Sequence, residues 1–225
     1  MGSRRTARVI GATAPADVDL DELVPAGGGP LESGFEVEDA RLGPDADLAG
    51  VDAGSGLFAR VRFDGARLGG SRMRGVSLSD VVAQRVEGSN ADWSGASMTR
   101  VEWDDARLTG MQFAEANLRD VTFRNCKLDF ANFRMATLSH VTFEGCVLDE
   151  SDFAESRLEY TRFSACQLRA GDFQKARLSC VDFRGSELEL RSSVLGLKGA
   201  IVSPLQLMEL SAALAREVGI DVRED

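Results

Sequence analysis

The residues that could carry out chemistry in this sequence are four cysteines, one histidine and many carboxylates. Cys126, Cys146 and Cys166 lie 20 residues apart, Cys180 lies outside that spacing, and none belongs to a CxxC pair. The sole histidine, His140, excludes an HExxH zinc helix and any mechanism that needs two imidazoles. No Walker loop, GxSxG or GxGxxG occurs in the strand–turn–helix setting that these motifs require. The sequence therefore predicts no enzyme active site, no cofactor and no metal site.

Carboxylates concentrate in two segments of the chain, each with a net charge of −5. The first contains Glu36, Glu38, Asp39, Asp45, Asp47 and Asp52, and the second contains Glu144, Asp149, Glu150, Asp152, Glu155 and Glu159. The whole chain has a net charge of −10 and a pI of about 4.7, which disfavours direct binding to nucleic acid. Each segment is either an ordinary solvated surface or a contact site for a basic partner.

A five-residue repeat determines where these side chains lie. From Phe58 to Leu188, 27 central positions follow one another at five-residue steps, and 21 of them are Leu or Phe. The position two residues before each centre holds a small residue or Val in 26 cases, with Met111 as the exception. None of the 38 charged residues between 56 and 190 occupies either position, and an unpaired charge is costly to bury. Two residues in five are therefore predicted to point inward and three outward.

The residue types also repeat every 20 residues. Trp103, Phe123, Phe143, Phe163 and Phe183 share this spacing, and Leu alternates with aromatic residues at the intervening centres. Four pentapeptides per turn explain both periods, because residues 20 apart then stack at the ~4.8 Å spacing of β-strands. Stacking then predicts that the three evenly spaced cysteines are small inward residues, whose parallel side chains have poor geometry for a disulfide bond. Cys180 is predicted to point outward as an accessible thiol. The glycines that lie two residues after a centre become corner residues.

These units, such as "ANLRD" at 116–120 and "ANFRM" at 131–135, resemble those of the pentapeptide-repeat proteins, which read A-(D/N)-L-x-x. The resemblance covers about residues 35–190. It implies an all-β solenoid, a right-handed quadrilateral β-helix. Several members of that family mimic B-form DNA, bind DNA gyrase and protect it from quinolones, so the resemblance implies a non-enzymatic module that binds gyrase or another type II topoisomerase. The alternative is a structural scaffold or adaptor with an unidentified protein partner.

Three regions are predicted along the chain. Residues 1–33, with "PAGGGP" at 25–30, form a flexible lead-in, 34–190 form the β-helix, and 191–225 form a C-terminal segment. One extra residue near Pro44-Asp45 distorts the first turn of the β-helix. Ala83 and Gly88 are undersized centres and predict a kink, a bulge or a thin core.

The C-terminal segment changes to helical periodicity. Ser203-Pro204 predicts the start of a short α-helix over about 204–218, and Gly219 predicts its end. The apolar residues of this helix are Leu205, Leu207, Met208, Leu210 and Leu214. The helix could cap the exposed end of the solenoid, or join two copies of the chain into a homodimer as the resemblance to fluoroquinolone-resistance members implies. Both roles can coexist.

Neither a membrane location nor secretion is predicted. No stretch approaches eighteen apolar residues, and the N-terminal arginines are not followed by an apolar core. Together with cysteines that form no CxxC pair, these features predict a cytoplasmic protein.

Overall fold

A computed structural model describes residues 24–25 and 31–223, which wind into a β-solenoid of about eight turns. Strands of successive turns pair in parallel, and through most of the rod each residue pairs with the one 20 positions later, as Phe123 does with Phe143. The predicted solenoid with a short C-terminal helical segment is confirmed. Of the predicted lead-in 1–33, all but 24–25 and 31–33 lies outside the described residues.

The elements follow one another with short connections. The strands are β1 (Val24–Pro25), β2 (Phe35–Leu42), β3 (Gly56–Asp64), β4 (Ser77–Gln84), β5 (Ser97–Asp104), β6 (Asn117–Arg124), β7 (Thr137–Glu144), β8 (Arg157–Glu159), β9 (Arg162–Ser164), β10 (Gln167–Gly171), β11 (Arg177–Ser179), β12 (Val181–Asp182), β13 (Glu187–Leu190) and β14 (Ala200–Ile201). A 3-10 turn (Val194–Leu197) precedes β14, and two short helices, α1 (Pro204–Glu209) and α2 (Ser211–Glu217), follow it.

The solenoid turns a corner at every fifth residue. Each fifth residue from 60 to 185 has a positive φ, which gives four corners for each 20-residue turn. This left-handed conformation favours glycine, because a Cβ atom is strained there. Seven glycines occupy such corners, as the sequence predicts: Gly65, Gly70, Gly75, Gly95, Gly110, Gly145 and Gly185.

Two columns of aromatic rings fill the interior. In one column the ring centroids of Phe123 and Phe143 are 5.0 Å apart and those of Phe143 and Phe163 are 4.8 Å apart, with near-parallel planes. The second column contains Phe133 and Phe153, and rings of the two columns meet edge to face, as Phe143 and Phe153 do at 6.3 Å. Stacked and perpendicular rings are the favoured aromatic geometries, so the core is closely packed.

Nearly all positions predicted to point inward are buried. Of the 54 central and small positions between Gly56 and Leu188, 51 are buried, and the exceptions are Gly56, Ala176 and Leu178. Three carboxylates at outward positions are also covered by neighbouring side chains: Asp80, Asp129 and Asp182.

The predicted kink or bulge at Ala83 and Gly88 is wrong. Ala83 pairs in register with Phe63 below and Trp103 above. A Cβ atom at Gly88 would lie 2.9 Å from Cδ2 of Leu108, so the side chains of the next turn already fill that space. Large residues one turn away thus compensate for small centres, and the backbone stays regular.

Both ends of the rod depart from the 20-residue register. At the start, Leu42 pairs with Phe63 at a 21-residue offset, which places one extra residue near Pro44-Asp45, as predicted. At the end, Val181 pairs with Ala200 at a 19-residue offset, so the chain beyond residue 190 completes the last turn.

The C-terminal segment closes the end of the rod. Ser203 caps α1 through a capping box with Gln206. The single helix predicted over about 204–218 is instead two helices that meet at Leu210. At the junction Leu210 has a φ of −80° and a ψ of −7°, and its side chain is buried against the core while its neighbours are exposed. Gly219 follows α2 with a φ of 79°, in agreement with the predicted helix end.

Candidate functional site

The packed interior makes the outer surface the candidate functional site. Buried side chains fill the interior of the rod, with aromatic rings from Trp93 to Phe183, and the hollows beside Met135 and beside Leu210 are open surface grooves. Among residues 31–223, no group of three or more His, Cys, Asp or Glu side chains is placed to hold a metal ion. In the same part of the chain, no helix has the length and apolar character to cross a membrane.

Three of the four cysteines lie inside the rod as free, buried side chains. Cys126, Cys146 and Cys166 are buried and unbridged. Cys146 Sγ donates to the Phe123 carbonyl at 3.3 Å. Contact with the Cys126 thiol, together with burial, raises the pKa of Cys146 to about 12, and the equivalent contact with Cys146 and burial raise the pKa of Cys166. Burial and a raised pKa therefore make Cys146 and Cys166 poor nucleophiles at neutral pH.

His140 is a corner residue whose ring stacks on that of Tyr160, with centroids 5.0 Å apart. Its Nδ1 atom lies 3.1 Å from Oγ of Ser139 on the same strand. The sequence places this histidine at a corner of the surface, and the structure agrees.

The second acidic segment wraps around the rod and does not form one face. Because each side holds one pentapeptide, Glu144, Asp149, Asp152 and Glu159 lie on four successive sides. Asp149 and Asp152 flank the corner that Glu150 occupies, and Asp152 shares its partner Arg134 with Glu155.

Most carboxylates of this segment are paired with arginines. The pairs are Arg124 with Glu144 at 3.4 Å, Arg169 with Asp149 at 3.8 Å, Arg134 with Asp152 at 3.9 Å and with Glu155, and Arg157 with Glu159 at 3.7 Å. Glu150 is exposed and has no ion pair within the described residues. The sequence does not reveal most of this pairing, because every partner except Arg157 lies 18 to 21 residues away on a neighbouring rung.

The first acidic segment is paired in the same way. The pairs are Arg60 with Glu38 at 3.4 Å and Asp39 at 2.5 Å, Arg67 with Asp47 at 2.8 Å, and Arg72 with Asp52 at 3.8 Å. The hydrogen bond from the Arg60 guanidinium lowers the pKa of Asp39. Glu36 and Asp45 form no ion pair with any residue from 31 to 223.

The predicted cap or dimer residues separate into two groups. Leu210 is buried against the core. Leu205, Leu207 and Met208 are 60%, 52% and 65% exposed, and Leu214 is 36% exposed. The sequence analysis missed Gln206, whose Nε2 donates to the carbonyls of Phe183 and Ser186, both at 2.7 Å. The S-x-x-Q spacing from Ser203 is the sequence signal that could have pointed to it.

The sequence analysis also missed two exposed apolar corner residues, Phe130 and Met135. The available signal is a bulky residue at a position that glycine fills in other turns, as Gly110 does one turn before Phe130.

The sequence matches the family model described as "Pentapeptide repeat region" over residues 57–133 and 120–191. The chain therefore belongs to the pentapeptide-repeat family. Its fold and its filled interior define a repeat module that offers a partner an extended surface instead of a cleft.

The solved structures similar to this chain include the following three. A trypsin-treated form of QnrB1, described as a plasmid-mediated fluoroquinolone resistance protein, is 21% identical over 85% of this chain and 93% of its own, with a TM-score of 0.48. HetL of the cyanobacterium Nostoc sp. strain PCC 7120, described as involved in heterocyst differentiation regulation, is 18% identical over 78% and 92%, with a TM-score of 0.27. A protein of the Arabidopsis thaliana thylakoid lumen is 16% identical over 66% and 87%, with a TM-score of 0.21. No curated protein matches the sequence.

Proposed function

We propose that this pentapeptide-repeat protein is a protein-binding module that acts in the cytoplasm on DNA gyrase or a related type II topoisomerase. It occupies the basic surface that otherwise holds DNA, and so inhibits the enzyme or protects it from quinolones. The family membership and the net charge of −10 support a partner with a positively charged binding surface.

One observation carries the choice of contact site. Asp149, Glu150 and Asp152 surround one corner, and Glu150 is exposed and free of ion pairs among the described residues. An unpaired carboxylate at a protruding corner can meet a lysine or arginine of a partner without first breaking an internal pair. Asp149 and Asp152 flank it with long pairs that an incoming cation can displace.

A supercoiling assay with purified gyrase tests this function. We expect inhibition, or protection from quinolone-induced cleavage, at micromolar protein. The triple variant Asp149→Lys, Glu150→Lys and Asp152→Lys should weaken the effect by about tenfold or more, since it opposes like charges across the contact. The matched control replaces with lysine three surface carboxylates that are each paired with an arginine: Asp47, Asp52 and Glu87. This control changes the net charge by the same amount on another part of the rod.

The two variants separate a local contact from a general charge effect. Equal losses in both variants point to net charge alone, and neither inhibition nor protection by the unmodified protein contradicts the proposed function. Raising the salt concentration should weaken the contact, because exposed charges are screened.

A scaffold or adaptor with a different protein partner is the second candidate. The arginine pairs along the acidic segments favour it, because they make much of the surface a balanced array of charges. Affinity capture from the native host distinguishes the two candidates. Recovery of topoisomerase subunits alone argues against the adaptor, and their absence among captured proteins argues for it.

The exposed apolar face of the C-terminal helices supports a homodimer. Leu205, Leu207 and Met208 protrude from the end of the rod, where a second copy can cover them. Replacing all three with serine should convert a dimer into a monomer in sedimentation equilibrium, while Gln206 and Leu210 keep the cap in place. A monomeric unmodified protein contradicts this assembly.

A further inference from the structure

Phe130 and Met135 occupy neighbouring corners of the same turn, and the fold accounts for neither. Their φ angles are 58° and 59°, in the left-handed region. Their exposures are 55% and 49%, so neither side chain gains the stability of a buried apolar group. Every corner of this fold adopts such a conformation, but it is unfavourable for a bulky side chain, and here the side chains are also apolar and exposed.

Other turns of the same molecule show which residues usually occupy the corner column that contains Phe130. In the three preceding turns the same corner holds Gly70, Asn90 and Gly110, with φ angles of 64°, 56° and 70°. Glycine and asparagine are the residues that tolerate this conformation best. Phe130 is thus an exposed aromatic ring where the backbone favours glycine or asparagine.

The next turn places carboxylates beside this ring. Phe130 donates its backbone N–H to the Asp149 carbonyl at 2.9 Å, and Glu150 follows it in the corner column. The backbone N–H of Met135 likewise donates to the Ala154 carbonyl at 3.0 Å, and Glu155 is the next residue in the corner column of Met135. Each apolar corner residue therefore has an acidic neighbour on the next rung.

We propose that Phe130 and Met135 are the apolar anchors of the surface through which this protein binds its partner, with Glu150 as the acidic neighbour of Phe130. This inference rests on the proposed function, and it specifies the chemistry of the partner site. That site is an apolar pocket bordered by lysine or arginine on the DNA-binding surface of the topoisomerase. Aromatic side chains at the centre of a contact commonly supply most of the binding energy, with charged groups at the rim.

The variant Phe130→Asn tests the anchor without threatening the fold, because asparagine suits the corner. We expect unchanged or raised thermal stability together with a loss of about tenfold or more in the potency of gyrase inhibition or protection. Combining it with Met135→Asn should deepen the loss. Ala165→Asn is the matched control: Ala165 is an exposed corner residue of another column with a φ of 53°, and its replacement relieves the same strain without removing an apolar anchor.

The outcomes separate the anchor from the function. An active unmodified protein, a weakened Phe130→Asn variant and an unchanged Ala165→Asn variant support the proposal. If the unmodified protein is active and Phe130→Asn retains its full potency, the anchor is wrong and the function stands. If the unmodified protein does not affect gyrase, the function fails and the anchor with it. If Phe130→Asn instead abolishes self-association in sedimentation, the ring belongs to a contact between copies, which also overturns the proposal.

Discussion

At the scale of the single residue, position within the pentapeptide decides the chemical environment of a side chain. Cys126, Cys146 and Cys166 take the small inward position and are buried, whereas Cys180 takes a corner and is partly exposed. The same residue type is therefore a packing element at three sites and an accessible thiol at one. Reactivity follows from accessibility and from the ease of forming the thiolate.

We expect a thiol reagent such as 5,5′-dithiobis(2-nitrobenzoic acid) to modify one thiol of the native protein rapidly, and all four after denaturation. The raised pKa of Cys146 and the burial of the column protect the other three. The control Cys180→Ser should abolish the rapid phase. A rapid phase that persists in this variant would show that the interior column opens.

At the scale of the element, the cap substitutes for a further turn of the solenoid. Each turn satisfies the peptide groups of the previous one, so the last turn would leave its carbonyls unbonded. The side-chain amide of Gln206 bonds two of these carbonyls, and its Oε1 accepts from the backbone N–H of Ser203. One side chain therefore links the helical cap to the end of the β-structure.

Replacing Gln206 with alanine should lower the free energy of unfolding by about 1–3 kcal/mol, because the Ser186 carbonyl loses the Nε2 donor and the Phe183 carbonyl keeps only the N–H of Ser186 at 3.2 Å. Urea denaturation followed by circular dichroism measures the change. The control Leu205→Ala removes an exposed side chain from the same helix and should have little effect in the monomer. Equal losses in the two variants would mean that the amide does not hold the cap.

How much of these elements can be predicted from sequence depends on the range of the interactions. The inward positions follow from the five-residue pattern, because burial excludes charge locally at every rung. The regular backbone at Gly88 does not follow from it, because Leu108, 20 residues away, supplies the missing volume. The division of the C-terminal segment into two helices at Leu210 likewise does not follow from the sequence pattern, because the burial of Leu210 depends on contact with the end of the core.

Prediction of the candidate site from sequence likewise stops where contacts between turns decide the arrangement. The acidic segments are visible in the sequence, but their pairing with arginines on neighbouring rungs depends on rotamers and on side-chain reach. One such pair joins Nη1 of Arg134 to Oδ2 of Asp152 at 3.9 Å, across 18 residues of sequence. The exposed ring of Phe130 could have been noticed from the corner pattern alone.

At the scale of the whole molecule, the rod is a linear stack in which each turn rests on its two neighbours. The ring of Phe143 contacts those of Phe123 and Phe163 in its column and Phe133 and Phe153 in the other. Removing this ring therefore interrupts its own column and the edge-to-face contacts that join it to the other, in which Phe133 still stacks on Phe153. In such stacks, stability is carried mainly by contacts between neighbouring repeats.

Phe143→Ala should lower the free energy of unfolding by about 3–5 kcal/mol, the usual range for deletion of a buried aromatic side chain. Phe130→Ala is the control, since the same residue type is exposed there, and its effect on the free energy of unfolding should be small. Denaturant unfolding measures both. A small effect for Phe143→Ala would mean that the ring columns do not hold the turns together.

Under the proposed function, the surface of this rod takes the place of DNA on a topoisomerase. Competition measures this directly: a fluorescent DNA duplex is bound to gyrase, and its anisotropy is followed as the protein is added. We expect the duplex to be displaced by the unmodified protein, less well by the Asp149, Glu150 and Asp152 lysine variant, and less well by Phe130→Asn. An anisotropy that stays constant at saturating protein, or a ternary complex that contains both protein and duplex, would contradict the claim.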